Sequence, residues 1–276
     1  MTRLRRPAVA GLFYPEHPAQ LLLAVQALLA EAVADGATPA PARAAIAPHA
    51  GYVYSGRTAA RVFARLDVPR RVIVLAPNHT GEGRAREGGS AFAVGTLRTP
   101  MGDVPVDEDL AARLLAECPL LEDDPEAHQR EHAAEVMLPF LLARRPDVIV
   151  VPVVLGFADW TRCRRLGEAV AAVVPTAGEP VLILASSDMN HYEPASVGTP
   201  KDRKALEQVT LLDGEQLLET TRRERVSMCG RAPAAVAIHA AKLLGATKGE
   251  VVDYSHSGMT TGDDSAVVGY AGVIVR

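Results

Sequence analysis

Three histidines each stand just beyond a short apolar run, in Ala47-Pro48-His49-Ala50-Gly51, in Ala76-Pro77-Asn78-His79-Thr80-Gly81 and in Ser186-Ser187-Asp188-Met189-Asn190-His191-Tyr192. A single loop histidine is ordinarily a cap or a hydrogen-bonding group. Three at equivalent positions, with the Asp188 carboxylate beside the third, form the donor set that a divalent metal needs. In the first two segments proline fixes the backbone ahead of the histidine and glycine frees it behind. That arrangement aims the side chain and leaves room above it for substrate or water.

Cys229, in Val226-Ser227-Met228-Cys229-Gly230-Arg231-Ala232-Pro233, stands just ahead of a helix that begins near Pro233. A helix N-terminus lowers a thiol's pKa, whereas a buried cysteine is often only a small hydrophobe; both accounts fit. Cys118 and Cys163 lie in or beside amphipathic helices with no polar cluster near them and read as structural. His128 and His132 have a zincin-like spacing, but Gln129 stands where that motif needs glutamate, so the motif fails. His132 and Glu135 are candidates to line a pocket as acid or base, with Glu131 at the start of the same helix. Solvent exposure accounts equally well for His128, and His17, His239 and His256 have no polar company. The chain has no G-x-G-x-x-G after a strand, no P-loop lysine motif and no G-x-S-x-G elbow, which removes support for nucleotide cofactors and α/β-hydrolase chemistry.

The elements that must position these groups read as α/β. Ala44–Ala47, Val72–Ala76, Val148–Val154 and Val181–Ala185 are short, nearly all apolar and bounded by turn residues, as strands buried on both faces are. Segments of helical period alternate with them: Pro18–Ala34, Ser55–Leu66, Asp107–Ala116, Glu131–Ala143, Asp159–Val173, Gly214–Thr220 and Ala234–Leu244. The pattern predicts a central, mostly parallel sheet flanked by helices. Ser90–Val106 breaks the rhythm as an antiparallel hairpin or insertion, and Val251–Tyr254 with Ala266–Val275 closes the sheet. Ligands of such sheets gather beyond the carboxyl ends of the strands, where the three histidines fall.

The 276 residues are 48% hydrophobic and 22% charged, which excludes disorder and supports one domain over 1–276. The net charge is −4 with basic residues scattered, so no nucleic-acid footprint is visible. Arg222-Arg223-Glu224-Arg225 is interleaved with acid and reads as a solvated helix end. Three widely spaced cysteines fit neither a disulfide framework nor a zinc ribbon, and no apolar stretch is long enough to cross a bilayer. A reducing, cytoplasmic setting without membrane contact is expected.

Together these motifs resemble the Memo-like family (mediator of cell motility), protein B of the AmmeMemoRadiSam system. The match runs through Val9-Ala10-Gly11-Leu12-Phe13-Tyr14-Pro15, Pro48-His49-Ala50-Gly51-Tyr52, Pro77-Asn78-His79, Thr99-Pro100-Met101-Gly102-Asp103, Glu131-His132-Ala133-Ala134-Glu135, Ser186-Ser187-Asp188 with His191, Cys229-Gly230-Arg231 and Val267-Val268-Gly269-Tyr270. Met101, Ala133-Ala134 and His256 depart from the family's usual residues without touching a ligand position. The resemblance implies a fold similar to the catalytic subunit of class III extradiol dioxygenases, which use non-haem Fe(II), with one central pocket. It further implies that His49, His79 and Cys229 are metal ligands and that Asp188, His191 and His132 surround them as the catalytic group. A thiolate in place of the dioxygenases' carboxylate is softer and suits Cu(I), Zn or a differently tuned iron, so dioxygenase activity does not follow from the fold.

The leading expectation is a metal-binding protein, with Fe(II) or Cu, or else Zn, and oxygenase-like or redox chemistry in which His191 or His132 carries a proton. The family's system name implies an AMMECR-domain protein and a radical-SAM protein as partners. Two alternatives are a non-catalytic adaptor whose pocket seats a small molecule or peptide, and a zinc hydrolase or Cys229 nucleophile paired with His191.

Overall fold

The computed structural model describes residues 3–84 and 88–276. Twelve strands are described, in chain order β1 Leu4–Arg5, β2 Ala44–Ala47, β3 Arg71–Pro77, β4 Gly89–Ala91, β5 Thr96–Thr99, β6 Gly102–Pro105, β7 Leu121–Asp123, β8 Ile149–Leu155, β9 Val181–Ser186, β10 His191–Glu193, β11 Gly249–His256 and β12 Val267–Val275. The helices are α1 Pro18–Ala34, α2 Tyr52–Ala64, α3 Glu108–Glu117, α4 Glu126–Gln129, α5 Leu138–Arg144, α6 Trp160–Val173, α7 Ala195–Thr210, α8 Gly214–Arg223, α9 Arg231–Leu243 and α10 Gly258–Thr261.

The main sheet runs β10-β12-β2-β9-β3-β8-β4-β7, with β11 paired to β12. Its centre, β2-β9-β3-β8, is parallel; β12 joins β2 and β4 joins β8 in the antiparallel sense. The four central strands are apolar along nearly their whole length because helices cover both faces, so alternation would bury polar groups. The all-apolar runs thus predict these strands to within a residue or two. Ser90–Val106 does hold a hairpin, β5–β6, turning at Pro100-Met101, but it belongs to a separate three-stranded sheet with β1.

Strand order does most for the site. β9 lies between β2 and β3, so the loops leaving β2 and β3 start about two strand spacings, or roughly 10 Å, apart. Each histidine stands two residues past its strand end, His49 after Ala47 and His79 after Pro77, and Asp188 stands two past Ser186. To meet, the outer loops must lean over the end of β9, whose last residue is the small Ser186.

Two expectations fail. No single helix spans Glu131–Ala143: α4 ends at Gln129, and α5 begins at Leu138 after one 3₁₀ turn at Glu135–Met137. Between them the Glu131 carboxylate accepts the Ala133 N–H at 2.9 Å, a local side-chain bond that replaces a helical one. His128 and His132 therefore share no helix face, and His128 is buried, not solvent-exposed, its Nε2 3.0 Å from the Ser90 carbonyl. No described helix is long and apolar enough to cross a membrane.

Candidate metal centre

His49, His79 and His132 meet at ring-centroid distances of 5.1, 5.3 and 4.6 Å, the last pair stacked. One donor atom each from His49, His79 and Cys229 lies within 4.8 Å of the others, and so does one each from His79, Glu131 and His132. The strand-end expectation for His49 and His79 is thus met in geometry, and Cys229 arrives from a segment 180 residues downstream of His49, its Sγ 3.4 Å from His49 Nε2.

The hydrogen bonds behind the rings decide which nitrogens face inward. Ser186 Oγ donates to the Ala133 carbonyl at 2.7 Å and therefore accepts from His49 Nδ1, also at 2.7 Å. The His49 proton sits on Nδ1, and Nε2 presents its lone pair to the cluster. His79 is held the same way: its Nδ1 lies 2.9 Å from Glu131 Oε1, and its backbone N–H donates to Oε2 at 2.6 Å. Burial opposes ionisation of Glu131, but the bond and charge of His79 and the Ala133 N–H outweigh it and hold the carboxyl below its usual range. A carboxylate that already accepts three N–H groups is a support for His79 more than a donor to an ion. The sequence motif displays Glu131, yet its partner lies 52 residues away, so its role was not legible.

His49 is 1% exposed, and burial, reinforced by His79, His132 and His191, pushes its pKa well below the ordinary range. Burial likewise lowers His132 and His191. These imidazoles are therefore neutral near pH 7, the form that ligates metals. His191 Nδ1 lies 3.0 Å from the Ser227 carbonyl, which can only accept, so that nitrogen carries a proton. Its neighbour Tyr192, in the left-handed region at φ 61°, stands 79% exposed.

Asp188 is buried with its Oδ1 accepting the His49 backbone N–H at 2.8 Å. Burial raises its pKa to about 7, against the pull of the His49 and Ala50 N–H groups. Its carboxylate thus braces the His49 loop, and among the described residues it belongs to neither set of donors that lie within 4.8 Å of one another. Cys229 departs from the lowered pKa expected at a helix start: burial, then the nearby Asp188, pushes the thiol up, although the Asp188 N–H, 3.3 Å from Sγ, pulls the other way. The imidazole at its sulfur is that of His49, not His191. Gly230 lets the two loops touch, since a Cβ there would stand 2.3 Å from the Ser186 carbonyl oxygen and 2.4 Å from Ser187 Cβ.

Glu135 is not a pocket acid. It is buried under Arg5, with which it forms an ion pair, and it accepts the Tyr14 hydroxyl and the N–H groups of Ala8 and Val9 at 2.8 and 3.0 Å. That anchor fixes the Val9–Tyr14 segment, which lays Phe13 edge-on against His132 at 4.9 Å. Cys118 and Cys163 are buried, as structural cysteines are.

Known proteins share the fold and much of the sequence. An uncharacterized Escherichia coli K12 protein of known crystal structure shares the fold, with a TM-score of 0.51 at 17% identity over 84% of this chain and 98% of its own. A MEMO1 family protein of Methanopyrus kandleri is 39% identical and one of Aquifex aeolicus 40%, each alignment covering 99% of both chains. The family model described as "Memo-like protein" matches residues 5–274, and the chain belongs to that family.

Proposed function

We propose that this protein binds a transition-metal ion through His49, His79 and Cys229, with oxygenase-like or redox chemistry as its task. The observation that carries the proposal is the pair of fixed tautomers. Ser186 and Glu131 each occupy the Nδ1 of one ring, as the outer partners of metal-bound histidines do, and the His49 Nε2 faces the sulfur. Two imidazoles with a thiol suit Cu(I), Zn or iron over the oxygen-seeking Mg²⁺ and Ca²⁺. When bound, such an ion would supply Lewis acidity or an electron to a substrate held beside it. The chain's own residues do the rest. His191, held at Nδ1 by the Ser227 carbonyl, is the group that would take or return a proton, and Phe13 and Tyr192 border the site with aromatic surface. The raised thiol pKa argues against a free Cys229 nucleophile, because an unionised thiol attacks poorly.

The test is metal content by mass spectrometry on anaerobically purified protein, beside His49→Ala and Cys229→Ser. Near-stoichiometric metal in the parent and a loss in both variants is expected; equal metal in all three would end the proposal.

A further inference from the structure

A cleft of about 640 Å³ is lined by residues on both flanks of Cys229, Arg225–Ser227 and Arg231, and walled by the start of α6 and by α8. Its volume is that of a small-molecule site. Its charges are unevenly committed. Arg222 is engaged by Glu219, and Asp159 caps α6 by accepting the Arg162 N–H. Glu215 stands in the first turn of α8, where a carboxylate complements the helix dipole. Arg225 and Arg231 are exposed, and neither guanidinium is given a protein partner by any hydrogen bond or ion pair of the described residues. Between these groups stands Trp160, half-buried, offering a flat apolar wall.

The backbone at Arg225 supplies a handle for testing the cleft. Arg225 follows the C-terminus of α8 with φ 54°, and the Val226 N–H reaches back to the Thr221 carbonyl at 2.8 Å. This is the left-handed helix stop at which glycine is the ordinary residue, and a non-glycine there is strained. The chain keeps an arginine at that strained position, where it lines the cleft. Leu212, after α7, ends its helix in the same way at φ 54°, so the strain marks a position where glycine should be tolerated and does not by itself mark a site.

We propose that this cleft binds a small dianion, a phosphate monoester or a dicarboxylate, through Arg225 and Arg231, with the organic part of the ligand against Trp160. Two guanidinium groups lining one cleft, neither engaged by another side chain, are suited to the planar, two-oxygen face of either anion. The inference does not depend on the metal proposal, although the two sites share a wall: Ser227 lines the cleft and holds His191 by its hydroxyl and carbonyl.

Trp160 is the chain's one tryptophan, so its fluorescence reports on this cleft alone. Titration of the whole protein with phenyl phosphate and with succinate, against sodium chloride at matched ionic strength, is expected to give a saturable change with at least one of the two dianions, which also tells the two ligand classes apart. Arg231→Ala and Arg225→Gly should each weaken that binding about tenfold, while the distant Arg203→Ala leaves it unchanged. Arg225→Gly should also melt at or above the parent temperature, because it relieves the left-handed strain, so its loss of binding cannot come from unfolding. No saturable change with either dianion, or unaltered affinity in both cleft variants, would overturn the proposal.

Discussion

His79 shows how a ligand histidine is made by what stands behind it. Glu131 accepts both its Nδ1 proton and its backbone N–H, so ring orientation and tautomer are fixed together. Glu131→Gln keeps the size but loses the charge and one acceptor, and it should lower metal affinity about 10- to 100-fold with the chain still folded; calorimetric titration with Zn(II) or Co(II) measures it, and parent-like affinity would mean that Glu131 does not position the ring. His128 makes a different residue-scale prediction. Burial lowers its pKa to about 4. Its folded value is thus depressed below the unfolded value of about 6.5, so the unfolded chain binds the extra proton between those limits and stability falls as pH drops through them. The loss approaches about 3 kcal/mol by pH 4. Urea unfolding at pH 7 and near pH 4.5 should show a shallower acid decline in His128→Gln than in the parent. The strand-end histidines were legible in the sequence because each follows an apolar run at once. Their supports were not, because Ser186 and His49 are 137 residues apart and nothing local marks them as partners.

At the scale of elements, four central strands were legible because burial on both faces demands an unbroken apolar run, which few other structures need. The short strands β4, β7 and β10, at or next to the sheet's edges, are three residues each and carry no such pattern. Helix α7 was missed for a different reason: Pro200 lies inside it, and a proline lacks the N–H that a helical interior uses. The false helix over Glu131–Ala143 had the right apolar spacing, but side-chain bonds from Glu131 took over its first turn. Contact between elements sets the Cys229 ligand, where the end of β9 meets the start of α9 at Gly230. Gly230→Ala would press a Cβ into the Ser186 carbonyl, and backbone cannot give way as a flexible side chain can. It should destabilise the protein by about 1–3 kcal/mol and reduce metal content, because the sulfur moves with the loop. Thermal unfolding and metal analysis of the same sample check both; an unchanged melting temperature would show that the two loops can separate freely.

For the whole molecule, what the sequence did not display is the order in which strands assemble. β2, β3 and β9 occur in that order along the chain, but β9 inserts between the other two, and this order brings the loops from residues 49, 79 and 186–191 to one end of neighbouring strands. The segment bearing Cys229 then closes over them, bonded to the loop by the Gly230 N–H on Ser187 Oγ at 3.0 Å. An ion held by ligands from three such distant segments binds the folded chain and not the separated strands, so it must stabilise the fold by linkage. At a free metal concentration a hundredfold above Kd the gain is about 2.7 kcal/mol, or a rise of about 5 °C in Tm for a chain of this size. Differential scanning calorimetry of metal-stripped protein with added Zn(II) or Co(II) should show that rise. The same addition should leave Cys229→Ser and His49→Ala near their metal-free values, while Arg225→Gly, outside the metal cluster, should rise as the parent does. A rise equal in all four proteins would place the ion elsewhere on the surface. No rise in the parent would mean that the three segments converge for packing alone.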